Sequence, residues 1–239
     1  MEWYEKLDFD EDPFSTDPKE NHDKLVNMEE GIEEMLYRID SGSILVIEGG
    51  SGRGKTTLLM VATKKYGGHK NVAYVDCKIL DKNLNITHVL QDRYGLFGRL
   101  FNKKPKNMIL LLDNVQELSR RNTERLKYYF DQNYIKSIIF TTEKYSNAKF
   151  SESLKDRIGK RVIKIPEPEE YDATEIIRKR IGDSELFNDE LIKKIFKMAD
   201  NSPKRLLEYC SKVAQAAAKK GRKRVQQIDL KVITGDKNE

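Results

Sequence analysis

Cysteine is scarce in this chain: Cys77 and Cys210 are the two among 239 residues. They lie far apart and outside any C-x-x-C, and His22, His69 and His88 stand among no matching ligands, so neither a disulfide framework nor a structural metal is expected. Long apolar runs are missing, since no stretch approaches the roughly 20 residues that span a bilayer. The opening M-E-W-Y-E-K-L-D-F-D-E-D is acidic where a signal peptide is basic. These absences predict a soluble, cytoplasmic protein with no membrane partner, in which the sequon Asn85-Ile86-Thr87 is a chance match. Internal repeats are absent, and so is any [NT]-K-x-D motif for reading guanine. Charge of one sign is not in excess overall. The net charge is +5, with an acidic beginning and two basic clusters, one at Lys103, Lys104 and Lys106, the other at Lys219, Lys220, Arg222, Lys223 and Arg224. The second cluster fits polyanion contact or the cations that complement a helix C-terminus before Gly221.

Against these absences, one motif stands out. The residues G-G-S-G-R-G-K-T-T, from Gly49 to Thr57, directly follow the apolar run Ile44 to Ile47, a strand, loop and helix start that together form a P-loop. Glycines 49, 50, 52 and 54 are expected to take positive φ and turn their N–H groups inward around an anion. The cradle is therefore Gly50, Ser51, Gly52, Arg53, Gly54, Lys55, Thr56 and Thr57, with Lys55 reaching the β- and γ-phosphates and Thr56 holding Mg2+ at a helix N-terminus. The chain is expected to bind a nucleoside triphosphate.

Beyond the loop, a helix through Leu58, Leu59, Val61 and Ala62 should stop in left-handed fashion at Gly67-Gly68. Strands follow at 72–75, 108–112 and 135–142, with an amphipathic stretch over 89–101 and a helix around 123–130. Those strands are apolar on successive positions, the habit of a parallel sheet covered on both faces. The strand at 162–165 alternates around Lys164 and reads as an edge. After Pro166 and Pro168 the chain is helical, opening with a capping box of Asp172 and Glu175. Two domains are predicted: 1–167, an α/β core carrying an N-terminal segment, and 168–239, a small helical domain.

The run Met108 to Leu112 delivers Asp113 to a strand end beside the phosphates, where a carboxylate holds the magnesium shell. Asn114 follows it, and an amide cannot accept a proton. Either Glu117, the nearest other carboxylate, activates water, or turnover is slow and the protein works as a nucleotide-gated switch. Thr142, with Thr141, ends its strand where a hydroxyl could meet the γ-phosphate or the attacking water, although threonine is also an ordinary strand residue. Arg157 stands at the rim of the sheet, as a residue entering a neighbouring subunit's site or as half of a surface ion pair. In Ser202-Pro203-Lys204-Arg205 the two cations oppose the dipole of the helix they begin. A triphosphate is one partner that would compensate them, which assigns Arg205 as a γ-phosphate sensor; the alternative is a solvated arginine.

These elements, in this order, resemble the AAA+ superfamily, and within it the ExeA/TniB-like ATPases and the archaeal and eukaryotic origin-recognition ATPases. W-Y-E-K-L-D-F-D-E-D-P-F resembles their short N-terminal segment, Leu154 to Ile158 their arginine-finger motif, and Asn201 to Leu206 their sensor-2 motif. The resemblance implies ATP with Mg2+ as cofactors, a parallel sheet of order 5-1-4-3-2 flanked by helices, a helical lid, and nucleotide-dependent homo-oligomers acting on DNA or a DNA-bound protein. Asn114 departs from the family's glutamate and Asn201 from its glycine. L-L-L-D-N-V-Q-E and S-I-I-F-T-T-E also resemble the core of STAND signalling ATPases, which would bind ATP with little turnover. With neither repeat array nor winged helix before Glu239, the chain is expected to be a minimal motor or switch module.

Overall fold

A computed structural model of the chain describes residues 2–67, 72–79, 89 and 106–234. The expected amphipathic stretch beyond Val89, the sequon at 85–87, and Lys103 and Lys104 lie outside the described residues. The chain divides into two compact units, one of residues 28–51 and 55–166, the other of residues 1–27, 52–54 and 167–239.

The first unit is a parallel α/β layer structure. Helix α1 (Glu29–Asp40) leads to strand β1 (Ile44–Glu48), and helix α2 (Lys55–Tyr66) begins on the P-loop lysine itself. Strands β2 (Val72–Asp76) and β3 (Met108–Asp113), helix α3 (Arg120–Asp131), strand β4 (Ile135–Thr142), helix α4 (Glu152–Ile158) and strand β5 (Val162–Lys164) complete it. The sheet order is β2-β3-β4-β1-β5 with every pairing parallel, which is the order 5-1-4-3-2 expected from the resemblance. All six residues of β3 are buried, as its unbroken apolar run requires of a strand covered on both faces. Among the described residues β5 pairs with β1 alone, and it ends on exposed Lys164, an edge.

Two local expectations are corrected. Helix α3 starts earlier than the apolar spacing indicates, because the Ser119 side chain caps it by accepting from the Asn122 N–H. Helix α2 does stop at Tyr66, yet Gly67 is not left-handed; a Cβ there would collide with the carbonyl oxygen of Thr63, so close approach, not positive φ, calls for glycine.

Helices α5 (Glu170–Ile181), α6 (Asp189–Met198) and α7 (Pro203–Lys219), with the short C-terminal α8 (Lys231–Thr234), form the second unit. Ala173, Ile177, Ile192, Ile195, Leu206, Cys210 and Val213 are fully buried in its core. The capping box sits one frame earlier than expected: Glu169 is the N-cap and Asp172 the N3 residue, each bonding the other's backbone. The N-terminal segment, which the sequence suggested belonged with the sheet, packs here. Phe14 is buried against Phe187 at 5.7 Å between ring centroids and stacks on Trp3, and the Arg180 guanidinium donates to Ser15 O at 2.9 Å and Asn21 Oδ1 at 2.6 Å. The acidic opening is thus an aromatic-anchored strap on the helical unit.

Four cations of the C-terminal basic run have carboxylate partners in their own unit. Lys220 lies 3.3 Å from Asp229, Arg222 pairs with the same carboxylate, Lys223 with Asp8 and Arg224 with Glu185. Asp229 is fully buried. Burial alone would raise its carboxyl, but the Arg222, Gln226 N–H and Lys220 contacts together hold it below the usual carboxylate range. A depressed native value means stability that is complete above the unfolded pKa, near 4, and lost as pH falls through the native one. Asp229→Asn is therefore expected to cost about 1.5–3 kcal/mol at pH 7 and to flatten the stability loss below about pH 4. Urea melts from pH 7 to pH 3 measure both; an unchanged acid limb would show that Asp229 carries none of it.

Candidate functional site

Parallel pairing brings the carboxyl ends of β1, β2, β3 and β4 to one edge of the sheet, the edge where ligands bind in open α/β folds. There Asp76 is in register with Asp113, and Glu48 with Thr142. The P-loop leaves β1 at the same edge. Gly52 and Gly54 have φ of +73° and +81°, as a phosphate-cradling loop requires. Gly49 and Gly50 do not take positive φ, against expectation. Gly49 is needed for a different reason, since a Cβ there would come 3.0 Å from the Ile165 Cβ.

Lys55 is buried, and its Nζ donates to the carbonyls of Gly49 at 2.7 Å and Gly50 at 2.8 Å. Those bonds hold the ammonium inside the loop's curve. Ser51 is exposed at the loop's start, Thr57 lies in the first turn of α2, and Arg53 forms an ion pair with Glu167 at 3.0 Å within the helical unit.

Asp113 is the hub. It is 1% exposed. Its Oδ2 accepts from the Thr56 hydroxyl at 2.6 Å and from the Tyr74 hydroxyl at 3.3 Å, while its Oδ1 accepts from the Thr141 hydroxyl. Thr141 also accepts the Asn114 N–H at 3.1 Å. Hydroxyls of three different elements, all neutral donors, thus keep this carboxylate in place. Thr56 and Asp113 form a hard-oxygen donor set of the kind Mg2+ takes.

The pair of threonines divides its work. Successive strand residues face opposite sides, so Thr141 reaches Asp113, whereas the Thr142 hydroxyl goes to Gln116 Oε1 at 3.2 Å and Lys144 O at 3.1 Å. Both hydroxyls are the expected candidates for the γ-phosphate or the attacking water, and here they have these different partners. Glu117 is exposed at the end of a 3₁₀ turn (Val115–Glu117) that buries Val115; its N–H donates to Asn114 O at 3.1 Å, and no side-chain hydrogen bond joins it to Asp113 among the described residues.

Asn114 has a structural reason to be what it is. Its backbone is left-handed, φ +58°, a conformation asparagine accepts far more readily than glutamate does. Its Nδ2 donates to Asp76 Oδ1 at 2.9 Å. Neither Asp76 nor Tyr74 was anticipated, although Asp76 ends its apolar run just as Asp113 does. Cys77 follows; burial, then the Asp76, Asp113 and Glu117 charges, push its thiol up to about 12, so it is not a nucleophile here. The same logic holds Tyr74 protonated, burial first and Asp113 second.

The two arginines expected to act on phosphate are both engaged. Arg157, in the last turn of α4, pairs with Asp131 at 2.8 Å. The Asp131 carboxyl lies below its ordinary value through its bond to Lys127 and the charge of Arg157, against the opposing effect of burial. Arg205 pairs with Asp200, donates to the Tyr209 hydroxyl at 3.0 Å and lies over that ring. The compensation predicted for a cation at this helix start therefore comes from Asp200 in the preceding turn.

A family profile described as an AAA domain matches residues 41–167, more than half of the chain. The chain belongs to this AAA family. An uncharacterized HTH-type transcriptional regulator of Methanocaldococcus jannaschii is 27% identical over 146 residues, which is 55% of this chain and 35% of that protein. The chain thus spans about a third of that curated relative. Among solved structures, Cdc6p from Pyrobaculum aerophilum aligns with a TM-score of 0.71 at 16% identity, covering 86% of this AAA protein and 65% of that one. Orc1 from Aeropyrum pernix, solved in complex with DNA, aligns at 0.73 and 12% identity over 88% and 65%. Domain III of the Thermotoga maritima replication initiation protein DnaA aligns at 0.66 and 23% identity over 90% and 95%. At these identities the likeness is one of fold.

Thr141 is the joint between Asp113 and Asn114. Thr141→Val keeps the shape, removes a donor from a buried carboxylate and orphans the Asn114 N–H. It is expected to cost about 1–3 kcal/mol in urea unfolding, whereas Thr142→Val is expected to cost less; equal costs would contradict the division of work between them.

Proposed function

We propose that this AAA domain binds ATP with Mg2+ and hydrolyses it slowly, acting as a nucleotide-gated switch or remodeller. One observation carries the reading: the P-loop threonine and the strand-end aspartate meet, Thr56 Oγ1 to Asp113 Oδ2 at 2.6 Å, beside a lysine held inside the loop. In this reading the loop N–H groups and Lys55 bind the β- and γ-phosphates, and Thr56 and Asp113 hold the metal, which when bound supplies charge neutralisation between those phosphates. Tyr74 and Thr141 keep the Asp113 carboxylate oriented.

Arg157 and Arg205 are assigned roles through exchange of partners. Arg157 would leave Asp131 for the triphosphate of a second copy, with Lys127, 2.6 Å from Asp131, remaining to satisfy that carboxylate. Arg205 would leave Asp200 to sense the γ-phosphate. A DNA-bound protein suits the charge pattern better than bare DNA, because four cations of the C-terminal run already have carboxylate partners in their own unit. A gel-shift titration at several salt concentrations tests direct contact.

A second reading, a STAND-like scaffold that binds ATP with little turnover, is favoured by Asn114 alone, since the amide supplies no proton acceptor. Among the described residues no helix is long and apolar enough to cross a membrane.

Lys55→Ala is expected to weaken ATP binding by at least about tenfold, through loss of a charge-assisted phosphate contact. Isothermal titration measures it, and unchanged affinity would overturn the ATP reading. In light scattering after size exclusion, an ATP-dependent increase in mass that Arg157→Ala abolishes is the expected sign of assembly in trans. An invariant monomer selects the scaffold.

A further inference from the structure

Asp76 is a carboxylate that the proposed mechanism leaves without a task, yet it stands at the centre of the site. It ends β2 in register with Asp113 at the end of β3. Its Oδ1 accepts from the Asn114 Nδ2 at 2.9 Å and from the Lys78 N–H at 3.0 Å. An ionised carboxylate can only accept, so the Asn114 amide has one permitted orientation: nitrogen toward Asp76, carbonyl oxygen away from it. Asn114 is also fixed at its backbone, by the left-handed φ of +58° and by the bond from its N–H to Thr141. The amide is therefore held at both ends, one residue beyond the carboxylate assigned to the metal.

We propose that Asp76 and Asn114 together replace the glutamate missing from this site, with Asp76 as a positioning residue that aims the Asn114 carbonyl oxygen at the water attacking the γ-phosphorus. This rests on the ATPase reading given above. The amide accepts one hydrogen bond from the water and orients a lone pair toward phosphorus; it does not take the proton. The water oxygen forms a bond to the γ-phosphorus as the bond to the bridging oxygen breaks, and that electron pair leaves with ADP. The water's proton passes to a γ-phosphate oxygen, so phosphate departs as H2PO4−. Turnover is slow in this scheme because the Asn114 amide does not receive that proton.

The test uses steady-state hydrolysis of Mg2+–ATP by the full chain, with ATP affinity measured in parallel by titration. Asp76→Ala is expected to lower kcat by about tenfold or more, the lower end of what a positioned catalytic group contributes, with KM changed by less than about twofold. Asp76→Asn, whose amide oxygen still accepts from Asn114, is expected to stay within about threefold of wild type. The exchanged double variant Asp76→Asn with Asn114→Asp keeps one amide donating to one carboxylate but turns the carboxylate toward the water. It is expected to exceed the wild-type kcat, a gain that a merely structural pair does not produce. Thermal melting of each variant separates misfolding from loss of positioning, and Asp76→Asn remains informative if Asp76→Ala does not fold. Wild-type kcat in Asp76→Ala, or a double variant slower than wild type, overturns the inference while leaving ATP binding intact. So does a wild-type chain that binds ATP without hydrolysing it. Failure to bind ATP at all overturns the functional reading itself, and this inference with it.

Discussion

A buried carboxylate held by three hydroxyl groups is the constraint on which the rest of this site depends. Asp113 is almost wholly withdrawn from water, and a carboxylate so placed is costly unless its lone pairs are satisfied. Three hydroxyls satisfy them, each from a different element: Thr56 from α2, Tyr74 from β2 and Thr141 from β4. The P-loop helix, the neighbouring strands and β3 are thereby tied at one point. These three donors are neutral, and through Thr56 the carboxylate is joined to the residue that follows Lys55 at the start of the P-loop helix.

That arrangement also accounts for the departure at position 114. The chain leaves β3 through a left-handed residue whose N–H must reach Thr141. Glutamate would be strained there, and asparagine is tolerated. The turn that secures Asp113 thus selects an amide where a carboxylate would be the simpler catalyst. The nearest carboxylate with a bond to that amide comes instead from β2, across a strand pairing that chain order conceals.

Much of this was readable in the amino-acid sequence because it is local. The P-loop, Asp113 and the unbroken apolar strands declare themselves within windows of ten residues, and with them the parallel sheet. Asp76 shows what adjacency in sequence leaves out: it repeats the pattern of Asp113, an acid after an apolar run, but its meaning comes only from lying in register with Asp113. The N-terminal strap is similar. Trp3 and Phe14 are plain in the sequence, but Phe187, on which Phe14 packs, is far along the chain, so sequence adjacency alone assigns the segment to the sheet instead of the helical unit. Arg157 and Arg205 were legible as cations at telling positions, while the acids that hold them, Asp131 and Asp200, emerge only from packing.

The central claim is that Asp113 and Thr56 hold the metal that accompanies a bound triphosphate. Thermal unfolding of the wild type and of Asp113→Asn, each with saturating ATP in the presence of Mg2+ or of EDTA, tests it most directly. Ligand at about 100 times its Kd stabilises a folded chain by about 2.7 kcal/mol. The account predicts an ATP-induced rise in Tm that Mg2+ enlarges in the wild type and leaves unchanged in Asp113→Asn. An equal Mg2+ increment in both proteins, or no rise with ATP in either, would contradict it.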